Sequence, residues 1–234
     1  GFEWIHRAEP DPDKLRCVLL FWCDLCHSTL MLRKNEFLKN NLFYSPFVQA
    51  EDFELWTRAM QFMKIANIPE VLGTYNEKTG ITTRKKLLIN NESGVIVAKT
   101  LENLLGLKLS KDETMLLNGW INPLEKVHNR AEKLQSLKNI LYNIWLKNKE
   151  IKFFNNDFLI QMLAAKWCWA KYNINWKTDY SNIHDISEAL SDSYRPGFFV
   201  RYKTFCDQYP GFFNKVKKII KKLASILLKT IFRR

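Results

Sequence analysis

The chain has 234 residues, 47% hydrophobic and 26% charged, enough for one domain of ordinary size or one domain with an appendage; its eight glycines and seven prolines exclude a long flexible linker. Five cysteines, odd in number and sparse for this length, exclude a disulfide framework and make a reducing compartment the default. The net charge is +12, but eight cations fall between Phe212 and Arg234, where there is no acid, so the body is only mildly basic and nucleic acid along a groove is not the expected partner.

Asp11 to Lys14, flanked by Pro10, reads as a loop, and Leu15 to Trp22 is an apolar run of open type. Ser28 to Arg33 predicts a short, largely buried strand, and Asn35 to Asn41 a short helix. Glu51 to Met63 predicts a helix, because Phe53, Trp56, Met60 and Met63 share one face and acids fill the first turn. Lys64 to Ile68, stopped by Pro69, and Val71 to Tyr75 predict two more strands, followed by a polar loop over Asn76 to Thr83. Beyond Arg84 the pattern turns helical: Val95–Leu107, Asp112–Trp120, Leu124–Lys149, Asn156–Tyr172, a short helix near Ile186–Leu190, and Phe198–Tyr209. Ser110 and Glu113 have the spacing of a capping box.

The organisation expected is an α/β portion over residues 1–85, a helical extension over 86–209, and a basic amphipathic tail helix over 210–234. The first methionine is Met31, so the natural sequence is expected to continue upstream of Gly1. No stretch reaches the roughly 18 consecutive apolar residues of a membrane-spanning helix.

Three segments stand out in order: His27-Ser-Thr-Leu-Met-Leu-Arg33, then Glu51-Asp52-Phe-Glu54-Leu-Trp56-Thr-Arg58, then Pro69-Glu-Val-Leu72. Together they resemble the acceptor-side half of bacterial family 2 glycosyltransferases, over roughly Cys17 to Tyr75. The resemblance implies a partial GT-A-type, Rossmann-like catalytic domain whose nucleotide-binding half lies upstream. It implies inverting transfer of a sugar from a nucleotide-sugar to a saccharide or lipid-linked acceptor in cell-surface polysaccharide or lipopolysaccharide synthesis. Asp52 would be the catalytic base, with Glu51, Trp56, Arg58 and His27 around the acceptor site. The chemistry asks for such a group: the acceptor hydroxyl must lose its proton as it attacks the anomeric carbon, and a carboxylate mounted on a rigid helix start can take it.

Two departures bear on the cofactor. The family's Asp-x-Asp metal motif has no counterpart in that context, Asp11-Pro-Asp13 lying in a Pro-rich segment too close to the acceptor segment. Tyr75-Asn-Glu-Lys78 stands where the family often has Tyr-Arg-x-His. A divalent cation, magnesium or manganese, is therefore expected for the complete enzyme, but with ligands outside this chain and no metal site within it.

Cys23-Asp-Leu-Cys26-His27 also spells the haem c attachment pattern. No distal ligand or second ligand pair accompanies it, so it reads as two buried cysteines beside a histidine. The pairing of lysines with apolar residues over 212–234 suits an anionic membrane surface. It places the chain in the cytoplasm, peripheral at the inner face of the membrane. The reading from another class is a non-catalytic membrane-surface or interaction protein that keeps a degenerate transferase fragment.

Overall fold

A computed structural model describes residues 5–45, 49–74, 86–117, 124, 128–172, 180–192 and 194. Residues 8–195 belong to one compact unit, and Ile5 to Arg7 belong to another. The expected loop 76–83, the helix 198–209 and the tail helix lie outside the described residues.

Asp11 starts the first helix, α1 (Pro12–Val18): its carboxylate accepts from the backbone N–H groups of Asp13 and Lys14, and Pro12 takes the first turn, where no N–H is needed. The loop expected at 11–14 is thus the helix's first turn, and Leu15 to Trp22 becomes helix and turn, almost wholly buried. A single 3-10 turn (His27–Thr29) follows, then α2 (Lys34–Lys39) and α3 (Glu51–Ala59). α4 (Lys86–Leu105) ends at Gly106, whose φ of +66° lets Gly106 and Leu107 bond back to Glu102 and Leu101. α5 (Lys111–Leu116) carries the reciprocal Ser110–Glu113 capping box. α6 (Arg130–Ile151), α7 (Asn156–Tyr172) and α8 (Ile186–Ala189) complete the order.

α7 is the hub. Every residue from Leu159 to Cys168 is buried, and α7 packs against α1, α6 and α8. α6 lays Leu137, Ile140, Leu141 and Ile144 on it at helical spacing. α4 in turn contacts α3, α5 and α6, which ties the amino-terminal helices to the rest.

The α/β, Rossmann-like architecture expected for residues 1–85 is overturned: no strand occurs among the described residues, and the elements there are helices and irregular segments. The reason is visible in each segment. Ser28 to Arg33 has no partner strand among the described residues; its start closes into the 3-10 turn, with Thr29 bonding to the Cys26 carbonyl, and Met31 is 99% exposed where a buried strand was expected. Lys64 to Ile68 is irregular and is stitched down by a side chain, Asn67 donating to the carbonyls of Glu9 (2.9 Å) and Asp24 (3.1 Å). Val71 to Thr74 is exposed and forms no strand with any of the described residues.

Candidate functional site

The site is assembled on the amino-terminal end of α3. Glu51, Asp52 and Glu54 occupy its first turn, where the unpaired backbone N–H groups and the helix dipole favour negative charge. Ala50 offers no side-chain cap. Glu92 of α4 supplies an acceptor from outside: its Oε2 takes the N–H of Gln49 at 2.5 Å and of Ala50 at 3.0 Å. Phe53, Leu55, Trp56 and Ala59 are buried, so the position of Asp52 is set by the packing of its helix and by a carboxylate clamp before it.

Around that helix start the structure brings together three of the five residues singled out in the sequence. Asp52 is half-buried, with Oδ1 accepting from the N–H of Phe53 at 2.6 Å. His27, at the 3-10 turn, is exposed; its ring lies 6.1 Å from that of Trp56. Trp56 is 3% exposed, edge-on to Phe37 at 6.0 Å, and its indole N–H has no acceptor among the described residues. Trp56 therefore forms the floor of the site. Glu51 is exposed at its rim.

Arg58 acts at one remove. It grips Glu54 with two bonds (2.6 and 2.8 Å) and donates to the carbonyl of Phe43 at 2.6 Å. Fork-shaped guanidinium binding of this kind fixes geometry, and what it fixes here is the 42–45 segment that carries Tyr44.

Tyr44 and Cys23 also belong to the site; the sequence did not point to Tyr44, and it marked Cys23 only as part of the Cys-x-x-Cys-His pattern. The Tyr44 hydroxyl lies 3.0 Å from His27 Nε2, with the rings edge-on at 5.6 Å. Partial burial first, and then the charges of Asp52 and Glu51, push the Tyr44 hydroxyl above the ordinary tyrosine range. Burial raises the Cys23 thiol far above its ordinary range, with Asp52 as the next contributor, so Cys23 stays protonated and is no nucleophile. Tyr44 sits in no sequence motif, and the Arg58 anchor on the neighbouring carbonyl of Phe43 helps to hold it at His27. Cys26 is exposed, against the expectation of two buried cysteines.

Among the described residues no three His, Cys, Asp or Glu side chains converge to hold a metal. What the arrangement can do is acid–base chemistry. A carboxylate, an imidazole and a phenol lie near one another, the imidazole beside the ring of Trp56, and a hydroxyl-bearing ligand beside Asp52 could give up its proton there. No helix among the described residues is long and apolar enough to cross a membrane. No family model, curated protein or solved structure matches the chain, so the geometry of the site carries the functional reading by itself.

Proposed function

We propose that the chain carries the acceptor-binding and proton-abstracting part of an inverting glycosyltransferase, with Asp52 as general base. The observation that supports this is that Tyr44, hydrogen-bonded to His27 beside the buried ring of Trp56, lies within reach of the charge of Asp52 on a helix start held by Glu92. An Asp in a first helical turn is ordinarily a favourable end charge; one that shares its surroundings with an imidazole and a phenol over an aromatic floor has more to do.

In the reaction, the acceptor hydroxyl oxygen forms a bond to the anomeric carbon as the bond from that carbon to the nucleoside diphosphate breaks. The hydroxyl proton passes to the Asp52 carboxylate, and the diphosphate leaves with the bonding pair. His27 and Tyr44, hydrogen-bonded to each other, orient the acceptor's remaining hydroxyls. The donor is a nucleotide-sugar, the acceptor a saccharide or lipid-linked glycan of the cell surface, and the work is done at the inner face of the membrane with residues 212–234 on anionic lipid.

The test is a transfer assay with UDP-hexoses, UDP-N-acetylhexosamines and GDP-mannose against a cell-envelope glycolipid extract, with Mg2+ or Mn2+ present. Asp52→Asn is expected to lower transfer by about 10²–10⁴-fold and to leave donor affinity unchanged. Transfer at the wild-type rate would remove Asp52 as base.

Met31, Ile68 and Leu72, each at least 66% exposed, favour a second reading, a membrane-surface or interaction protein. In that case wild type and Asp52→Asn are both inactive, while deletion of 212–234 abolishes co-sedimentation with phosphatidylglycerol vesicles.

A further inference from the structure

Away from α3, the exposed side of α6 and the short helix α8 enclose a groove of about 430 Å3, within the range of small-molecule sites. Its chemistry is unusual for a solvated helix face. Gln135, Asn139 and Asn143 follow one another at four-residue spacing, a single stripe of amides rising about 6 Å per step. Lys138 and Tyr142 form the parallel stripe beside it, and Ser187 faces them from α8. No carboxylate lines the groove among the described residues.

We propose that this groove binds a neutral saccharide chain. Each amide carries both a donor and an acceptor, the pairing that a sugar hydroxyl, itself donor and acceptor, satisfies best. Gln135 Nε2 donates to Asn139 Oδ1 at 2.9 Å, which fixes the two amides relative to one another. Asn139 keeps its NH2 group and Gln135 its carbonyl for a ligand. Tyr142 is 43% exposed and is braced by the Trp145 ring at 5.3 Å, so a flat aromatic face stands ready for the C–H side of a sugar ring. Ile186 and Leu190, themselves almost wholly buried, back the opposite wall with apolar side chains.

Charge decides against other ligands. Among the described residues Lys138 is the one cation of the lining, and its ammonium lies 5.9 Å from the centre of the Trp167 ring, already engaged. One engaged lysine does not neutralise a run of phosphates or uronates, which bind through clusters of free cations. A neutral polyol needs none.

None of these residues lies on α3 or its neighbours in the site, so the inference does not depend on Asp52. The test is affinity electrophoresis of the full chain through gels containing dextran, starch, laminarin, galactomannan or, as anionic controls, alginate and heparin. At least one neutral polysaccharide is expected to retard the protein, with Asn139→Ala and Tyr142→Ala each raising the dissociation constant about five- to tenfold. Both side chains are exposed, so the variants are expected to keep the wild-type circular dichroism and Tm. Asp52→Asn should bind like wild type even if it abolishes transfer. Retardation by the anionic polymers alone, by none of the panel, or undiminished in both variants would overturn the proposal.

Discussion

Asn148 shows how much one side chain can hold. It is 1% exposed near the end of α6, and its amide makes two bonds to one residue across the turn: Nδ2 donates to the Phe154 carbonyl at 3.0 Å and Oδ1 accepts the Phe154 N–H at 2.8 Å. An amide is the side chain that satisfies both groups at once. Asn148→Ala leaves a buried donor and a buried acceptor without partners, and about 2–4 kcal/mol of stability is expected to be lost, since each orphaned group costs about 1–3. Urea denaturation followed by circular dichroism measures it; a loss under 1 kcal/mol would mean that the turn rearranges to find other partners. Asp52 is held differently. Its own bond is local, to the next residue's N–H, and its placement comes from Glu92 on another helix, so no inspection of residues 50–58 alone could have revealed what fixes it.

α6 ends just past that residue because the chain turns left-handed at Lys152, with φ of 58° and ψ of 36°, and the Lys152 N–H closes on the Asn148 carbonyl at 2.7 Å. A side chain in this region costs about 1–2 kcal/mol, which glycine avoids. Lys152→Gly is expected to stabilise the protein by about 0.5–1 kcal/mol after glycine's greater freedom in the unfolded chain is deducted, raising Tm by about 1–4 °C. A lower Tm in differential scanning calorimetry would show that the exposed lysine contributes more than its backbone strain costs. At this scale the sequence was informative where the signal is local. The Ser110–Glu113 box, the start of α3 at Glu51 and both ends of α7 are where spacing and polarity put them. α4 begins nine residues before the expected Val95, because Asn90, Ser93 and Gly94 look like breakers, whereas in the fold they are buried and Ser93 bonds to the Asn90 carbonyl. The strands expected at 28–33 and 64–68 failed for the opposite reason: apolar runs predict burial, but a strand needs a neighbour, and these segments are held by Thr29 and Asn67 side chains instead. The same limit applies to the site, where His27, Asp52 and Trp56 were singled out from a motif and Cys23 only from the pattern beside His27, while Tyr44 joins them through tertiary packing.

At the scale of the whole molecule, the hub helix α7 carries a cation in its most buried stretch. Lys166 is fully buried, donates to the Leu117 carbonyl beyond α5, and lies over the rings of Phe21, Trp22 and Trp169 at 4.5–5.7 Å. It therefore touches the turn after α1, the end of α5 and its own helix together. Burial holds its ammonium well below the usual lysine range. In the unfolded chain it titrates near 10.4. Between the folded and unfolded values the unfolded chain binds the extra proton, so stability rises with pH through that window, by up to about 1.4 kcal/mol per unit. The buried thiols of Cys17 and Cys23 pull the other way: their folded values are raised, and above about pH 8.5 the unfolded chain releases protons that the folded one keeps, which lowers stability. The lysine's share is therefore isolated by difference. Lys166→Met fills the same volume without the charge and keeps both thiols. Its stability minus that of wild type, from denaturant unfolding at successive pH values, is expected to decline steadily as pH rises toward 10, because wild type gains and the variant does not. A difference independent of pH would mean that the ammonium stays charged in the folded state, stabilised by its aromatic surroundings and its bonds.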